Sequence, residues 1–182
     1  MARIEERRRE GAGNTVLWQG HRPRMAAATA ALSQAVYQES TLSLREAEAA
    51  RIRIAHINGC LLCQDFRLAD GLAGLLERMQ AHEEANVSAA RGEPPSREFY
   101  EGVPGWRDSA LYSPRERLAI EYAERIAEAP RDLPYDDAFW DRLNAAYSEE
   151  EVVDLTYSIT TWIATGRFVH VLGLDGACAV PA

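Results

Sequence analysis

A Ser-x-x-Glu step occurs three times in this chain, at Ser43–Glu46, Ser113–Glu116 and Ser148–Glu151, and each time it opens a segment with helical period. In such a capping box the serine hydroxyl accepts the backbone N–H three residues on. The glutamate reaches back to the N–H of the serine, so two of the donors that a helix start leaves open are satisfied. Pro114, at the first helical position after the second serine, lacks the N–H that would be unpaired there anyway. Three written helix starts constrain the fold more than any other feature of the sequence.

The segments behind the boxes carry the matching periodicity. Ala119, Tyr122, Ala123 and Ile126 recur at i, i+3, i+4 and i+7 and stop before Pro130; Phe139, Leu143 and Tyr147 form one stripe after Pro134. The longest predicted helix runs from about Glu149 to Leu172, with Val152, Leu155, Ile159, Trp162, Ile163, Gly166 and Val169 on its apolar side. Ala26 to Gln38 reads as an Ala-rich helix, and Leu72, Leu75, Leu76, Met79, Asn86 and Ala90 mark another. Gly92 to Tyr112 reads as the one long loop. Behind Ser43, Arg51-Ile52-Arg53-Ile54 alternates like a strand, whereas Leu44, Ala47, Ile54 and Ile57 recur helically. The cap and the local Ala, Glu and Arg content decide for helix.

Composition agrees. Ala, Leu, Glu and Arg supply 86 of the 182 residues, and Val, Ile and Thr only 24, a balance that disfavours a sheet. The expectation is an all-α single domain over residues 21–176, with a loosely ordered arm at 1–20 and a tail at 177–182. No lysine is present, which excludes Schiff-base and Walker A lysine chemistry. The net charge of −8 argues against a nucleic-acid partner. No apolar run suggests a membrane partner, and no secretory signal heads the chain, so a cytoplasmic protein is expected.

Chemistry concentrates at Cys60-Leu61-Leu62-Cys63. Asn58-Gly59 is a helix stop, so Cys60 falls near the first turn of the next helix, where open N–H groups and the helix dipole favour a thiolate. A spacing of three puts both sulfurs on one face, within reach of a disulfide, and predicts that the pair opens onto a small, mostly apolar pocket. A two-electron dithiol/disulfide cycle is the natural use. Half of a zinc site and a pair of buried structural cysteines are the alternatives. Against zinc, His21, His56, His82, His170 and Cys178 are scattered singly, and no metal or cofactor is expected. Gly11-Ala12-Gly13 lacks a third glycine, His82-Glu83-Glu84 is no zincin motif, and Trp162 and Phe168 read as core or interface.

Glu48, eleven intervening residues, and Cys60-Leu61-Leu62-Cys63 together resemble the active-site segment of the AhpD-like superfamily, which includes the alkylhydroperoxidase AhpD and the carboxymuconolactone decarboxylases. The stretches Arg117–Glu124, Tyr135–Trp140 and Val153–Gly173 resemble its longer, peroxidase-related members. The resemblance implies an AhpD-like helical bundle that reduces small organic hydroperoxides, with Cys63 as the attacking thiol and Cys60 as the resolving one. It also implies Glu48 in the proton relay and an external dithiol, protein or lipoyl-type, as reductant. A homo-oligomer follows (dimer, trimer or hexamer), for which the long helix with Trp162, Ile163, Phe168 and Val169 is the expected interface. In the family pattern a histidine stands four residues after the second cysteine; here that position is Arg67, which cannot accept a proton. On a helix Arg67 would lie over Cys63 and hold a thiolate by charge, and His56 is the nearest other shuttle. A carboxymuconolactone-type decarboxylase, which does not depend on the cysteines, and a non-catalytic helical oligomer are the competing readings.

Overall fold

The computed structural model describes residues 3–4, 20–67 and 91–174. The expected helix at 72–90, most of the N-terminal arm, His82 and Cys178 lie outside the described residues. Seven α-helices are described: α1 (Pro23–Gln38), α2 (Leu44–Asn58), α3 (Leu61–Asp65), α4 (Arg97–Gly102), α5 (Pro114–Glu128), α6 (Asp137–Ala146) and α7 (Glu149–Val171). There is no strand among the described residues. The fold is all-α, and the strand-like alternation at 51–54 is helix.

All three capping boxes form with both of their hydrogen bonds, at the starts of α2, α5 and α7. Their glutamates do a second job that sequence spacing does not reveal. Arg115 pairs through Nε with Glu46 at 2.5 Å and through Nη2 with Glu151 at 2.8 Å, while Arg45 pairs with Glu116 at 2.6 Å. The three helix starts therefore meet at one end of the bundle, and planar guanidinium groups join them. The planar fork lets Arg115 donate to the two carboxylates through separate nitrogens.

Helix α2 runs through the middle and buries residues all round. Ala47, Ala50 and Ile54 face one cluster, with Leu118, Ala119 and Tyr122 of α5, Phe139 and Leu143 of α6, and Leu155, Ile159 and Trp162 of α7. Ala49 and Ile52 face a second cluster with Phe99, Tyr100, Val103, Trp106, Tyr112 and Ile120. The helix is enclosed although it carries charged residues, and its small alanines let neighbours come close. The second cluster corrects one expectation: the stretch Gly92–Tyr112 is not simply loop. Ser96 caps the short α4, and a 3-10 turn follows at Val103–Gly105. Six residues are too few for a periodic signal, but burial of Phe99 and Tyr100 against α2 stabilises the turn.

The end of α2 is fixed against α7. Asn58 is buried; its Nδ2 donates to the carbonyls of Trp162 at 3.2 Å and Ile163 at 3.4 Å, and its Oδ1 accepts from Arg167 Nε at 3.0 Å. The approach is possible because position 166 is glycine: a Cβ there would stand 2.6 Å from Asn58 Nδ2. Trp162, expected on an intermolecular face, is thus turned into the core, and Ile163 packs against the same cluster. The exposed large apolar residues of α7 are Val153, Tyr157, Phe168 and Val171.

Candidate active site

The cysteine turn is built from the stop of α2. Gly59 takes φ +67°, the left-handed conformation that glycine adopts without a Cβ penalty. The N–H groups of Gly59 and Cys60 return to the carbonyls of His56 and Ala55, which reverses the chain. His170, from the last turn of α7, closes over this turn, its ring 3.2 Å from where a Gly59 Cβ would be.

Cys60 is the N-cap of α3, and its sulfur accepts the backbone N–H of Cys63 at 3.3 Å. Cys60 and Cys63 are joined as a disulfide with Cα atoms 5.3 Å apart, as the three-residue spacing predicts. The two sulfurs are not equivalent. Cys60 is fully buried, Cys63 is half-buried, and Leu61 between them is exposed. An external reactant therefore reaches Cys63 first.

Glu48 is fully buried one helical turn before Arg51, which is buried as well. Arg51 clasps it with two bonds, Nε to Oε1 at 2.5 Å and Nη2 to Oε2 at 3.0 Å. The same guanidinium donates through Nη1 to the carbonyl of Cys63 at 2.8 Å and through Nη2 to that of Phe66 at 2.6 Å. Burial by itself would lower the Arg51 pKa; the charge and hydrogen bonds of Glu48 outweigh it, and the net direction is up. Tyr100 of α4 presses its hydroxyl toward Glu48, outside good hydrogen-bond geometry. Burial, and after it the Glu48 charge, push this phenol far above its ordinary value, so it stays protonated. Burial likewise raises Tyr37 of α1, which lies near the same two charges.

Arg67 does not stand over Cys63 on a helix, because α3 stops at Asp65 and Phe66 is extended. Its Nη1 donates to the carbonyls of Gln64 and Phe66, and its guanidinium lies over the Tyr100 ring, 4.2 Å from the centroid. His56 sits half-buried on the last turn of α2. Burial, then the positive charges of Arg53 and Arg67, lower its pKa, so it is neutral at pH 7 and can accept a proton. The structure thus joins Glu48 and the backbone of Cys63 through one residue that sequence reasoning passed over, Arg51. The only sequence signal for it was an i, i+3 Glu–Arg pair, which on a helix rich in charged residues reads as an ordinary surface pair. Among the described residues no three His, Cys, Asp or Glu side chains converge as metal ligands would. No described helix is long and apolar enough to cross a membrane.

The helical fold has counterparts among known proteins. The model of the carboxymuconolactone decarboxylase family matches residues 23–95, the part of the chain that holds Glu48 and the Cys60–Cys63 turn. It is 27% identical over 137 residues to the uncharacterized protein YdfG of Bacillus subtilis, spanning 75% of this chain and 79% of that one. It is 36% identical over 81 residues to the uncharacterized protein YnjA of Escherichia coli, covering 43% of each. The crystal structure of ATU0492 from Agrobacterium tumefaciens, a protein of unknown function described as a candidate antioxidant defence protein AhpD, superposes with a TM-score of 0.64. That match covers 100% of this chain and 99% of the other at 20% identity. At that identity the likeness shows the shared fold.

Proposed function

We propose that this protein is a thiol oxidoreductase that reduces small organic hydroperoxides through the Cys60–Cys63 pair. The observation that carries the reading is the asymmetric pair itself: a formed disulfide with one buried and one accessible sulfur, its Cys63 backbone tied through Arg51 to a buried carboxylate. In the forward direction the Cys63 thiolate attacks one oxygen of the O–O bond. That bond breaks, the alcohol leaves with a proton, and Cys63 becomes a sulfenic acid. The Cys60 thiol then attacks the Cys63 sulfur, water departs, and the disulfide forms. An external dithiol reduces it by exchange and is itself oxidised. Glu48 is the group proposed to take up the thiol proton, with neutral His56 as an accessory acceptor. Arg67 supplies fixed charge rather than a proton site.

The test is to treat the reduced chain with dilute cumene hydroperoxide and follow the 60–63 peptide by mass spectrometry. A loss of two hydrogens with one alcohol formed per disulfide is expected, and Cys63→Ser should abolish it. Reduced wild-type protein that leaves the hydroperoxide unconsumed would sink the reading. The family model's own name favours a second reading, a decarboxylase of the carboxymuconolactone type. Turnover of such a lactone unchanged in Cys60→Ser/Cys63→Ser would establish it instead.

We further propose a homo-oligomer that uses the exposed stripe Val153, Tyr157, Phe168 and Val171 of α7. Light scattering at micromolar concentration should show a multiple of the 20.3 kDa chain mass, reduced by Tyr157→Glu with Val171→Glu. A wild-type monomer would remove the claim.

A further inference from the structure

The Arg51 guanidinium makes four contacts from a position only 4% exposed, and they divide evenly between the Glu48 carboxylate and the two carbonyls of Cys63 and Phe66. Those carbonyls belong to the end of a five-residue helix, where no further turn exists to bond them. Arg67 takes the Gln64 carbonyl and shares that of Phe66. The cysteine turn is therefore closed at its C-terminal end by two cations, one of them neutralised by Glu48 and locked inside the protein.

We propose that Arg51 is a positioning residue for the reactive thiol: it holds the backbone of Cys63 against the Glu48 carboxylate, and the balance of the Glu48–Arg51 pair sets how readily Cys63 ionises. The inference rests on the reading of the pair as a redox centre. Its physical basis is twofold. A guanidinium hydrogen-bonded to the carbonyl of Cys63 cannot move away from that residue without leaving two carbonyls and a carboxylate unsatisfied in the interior. And in a buried, poorly screened site a single charge beside the Cys63 backbone changes the thiolate population by on the order of tenfold or more. Because the two charges of the pair are opposite, removing one or the other acts on Cys63 in opposite directions. The other charged and titratable groups facing the pair are Tyr37 from α1, Tyr100 from α4, Arg67 beyond α3, and Arg91. Burial keeps both tyrosines protonated, so neither switches in the range where a thiol titrates.

The experiment is the pH dependence of iodoacetamide alkylation at Cys63, read by mass spectrometry of its peptide in a Cys60→Ser background. Glu48→Gln, which leaves the guanidinium uncompensated, should raise the thiolate fraction at a fixed pH about tenfold. Arg51→Met, which leaves the carboxylate uncompensated, should lower it by a similar factor. Arg51→Lys keeps the charge but not the fork that spans carboxylate and carbonyls. It should keep the thiolate fraction near wild type while the hydroperoxide oxidises the Cys60–Cys63 pair more slowly. If Arg51→Met fails to fold, Glu48→Gln and Arg51→Lys still decide. Shifts of the same sign in the two charge-removing variants, no shift in Glu48→Gln, or full oxidation rate in Arg51→Lys would each overturn the proposal. The alkylation needs no peroxide, so a protein inert to hydroperoxides would overturn the proposed function while the Glu48–Arg51 coupling is still read by itself.

Discussion

Substituting Gly166 by alanine tests the packing that places the cysteine turn. The new Cβ would lie 2.6 Å from Asn58 Nδ2 and 3.5 Å from its Cγ, and the first distance is far inside van der Waals contact. Asn58 cannot swing aside without loss, since its amide is buried between two α7 carbonyls and Arg167. Alanine recovers about 1 kcal/mol of helix propensity in α7. Against this, overpacking costs about 1–3 kcal/mol. Displacing an amide that serves three partners costs about 1 kcal/mol for each bond weakened. The net expectation is a destabilisation of about 2–3 kcal/mol, or a Tm lowered by roughly 5–10 °C for a chain of this length. Calorimetry or thermal circular dichroism reads it. Gly105→Ala is the control, because a Cβ there meets nothing within 4 Å and the residue has no positive φ. The double variant Asn58→Ala/Gly166→Ala removes the clashing atoms, so its loss should be clearly less than the sum of the singles. A Gly166→Ala protein as stable as wild type, or additive losses in the double variant, would refute the tight Asn58–Gly166 approach.

Two further perturbations address other levels. Ser113→Ala deletes the hydroxyl that accepts the Glu116 N–H and should cost about 1 kcal/mol in urea unfolding; no loss would mean that this cap does not hold the start of α5. For His56 the folded pKa lies below its ordinary value of about 6.5, so below that pH the unfolded chain binds the proton more readily than the native one. Stability therefore falls as pH drops from about 6.5 toward the native pKa, and His56→Gln should flatten that part of the curve. An unchanged slope would show that His56 is not held neutral.

The sequence determined the helices by local means. Each capping box is complete within four residues, and the 3.6-residue stripes of α5, α6 and α7 follow from the chain's own order. The Asn58-Gly59 stop and the three-residue cysteine spacing are equally local, and for that reason the end of α2 and the disulfide were legible. Arg67 was misplaced because the length of α3 is not local: it ends at Asp65, where Arg51 and Arg67 satisfy its carbonyls in place of another turn. Only the tertiary structure decided which polar residues go inside. Glu48 and Arg51 look like an ordinary surface pair on a helix, and they are buried because α2 has neighbours on every side. Whether Trp162 faces a partner or the core was likewise settled by the packing of α7 against Asn58. A buried charge is tolerable only where its partners are fixed, and those partners, the carbonyls of Cys63 and Phe66 in the following turn, come together only when the chain has folded.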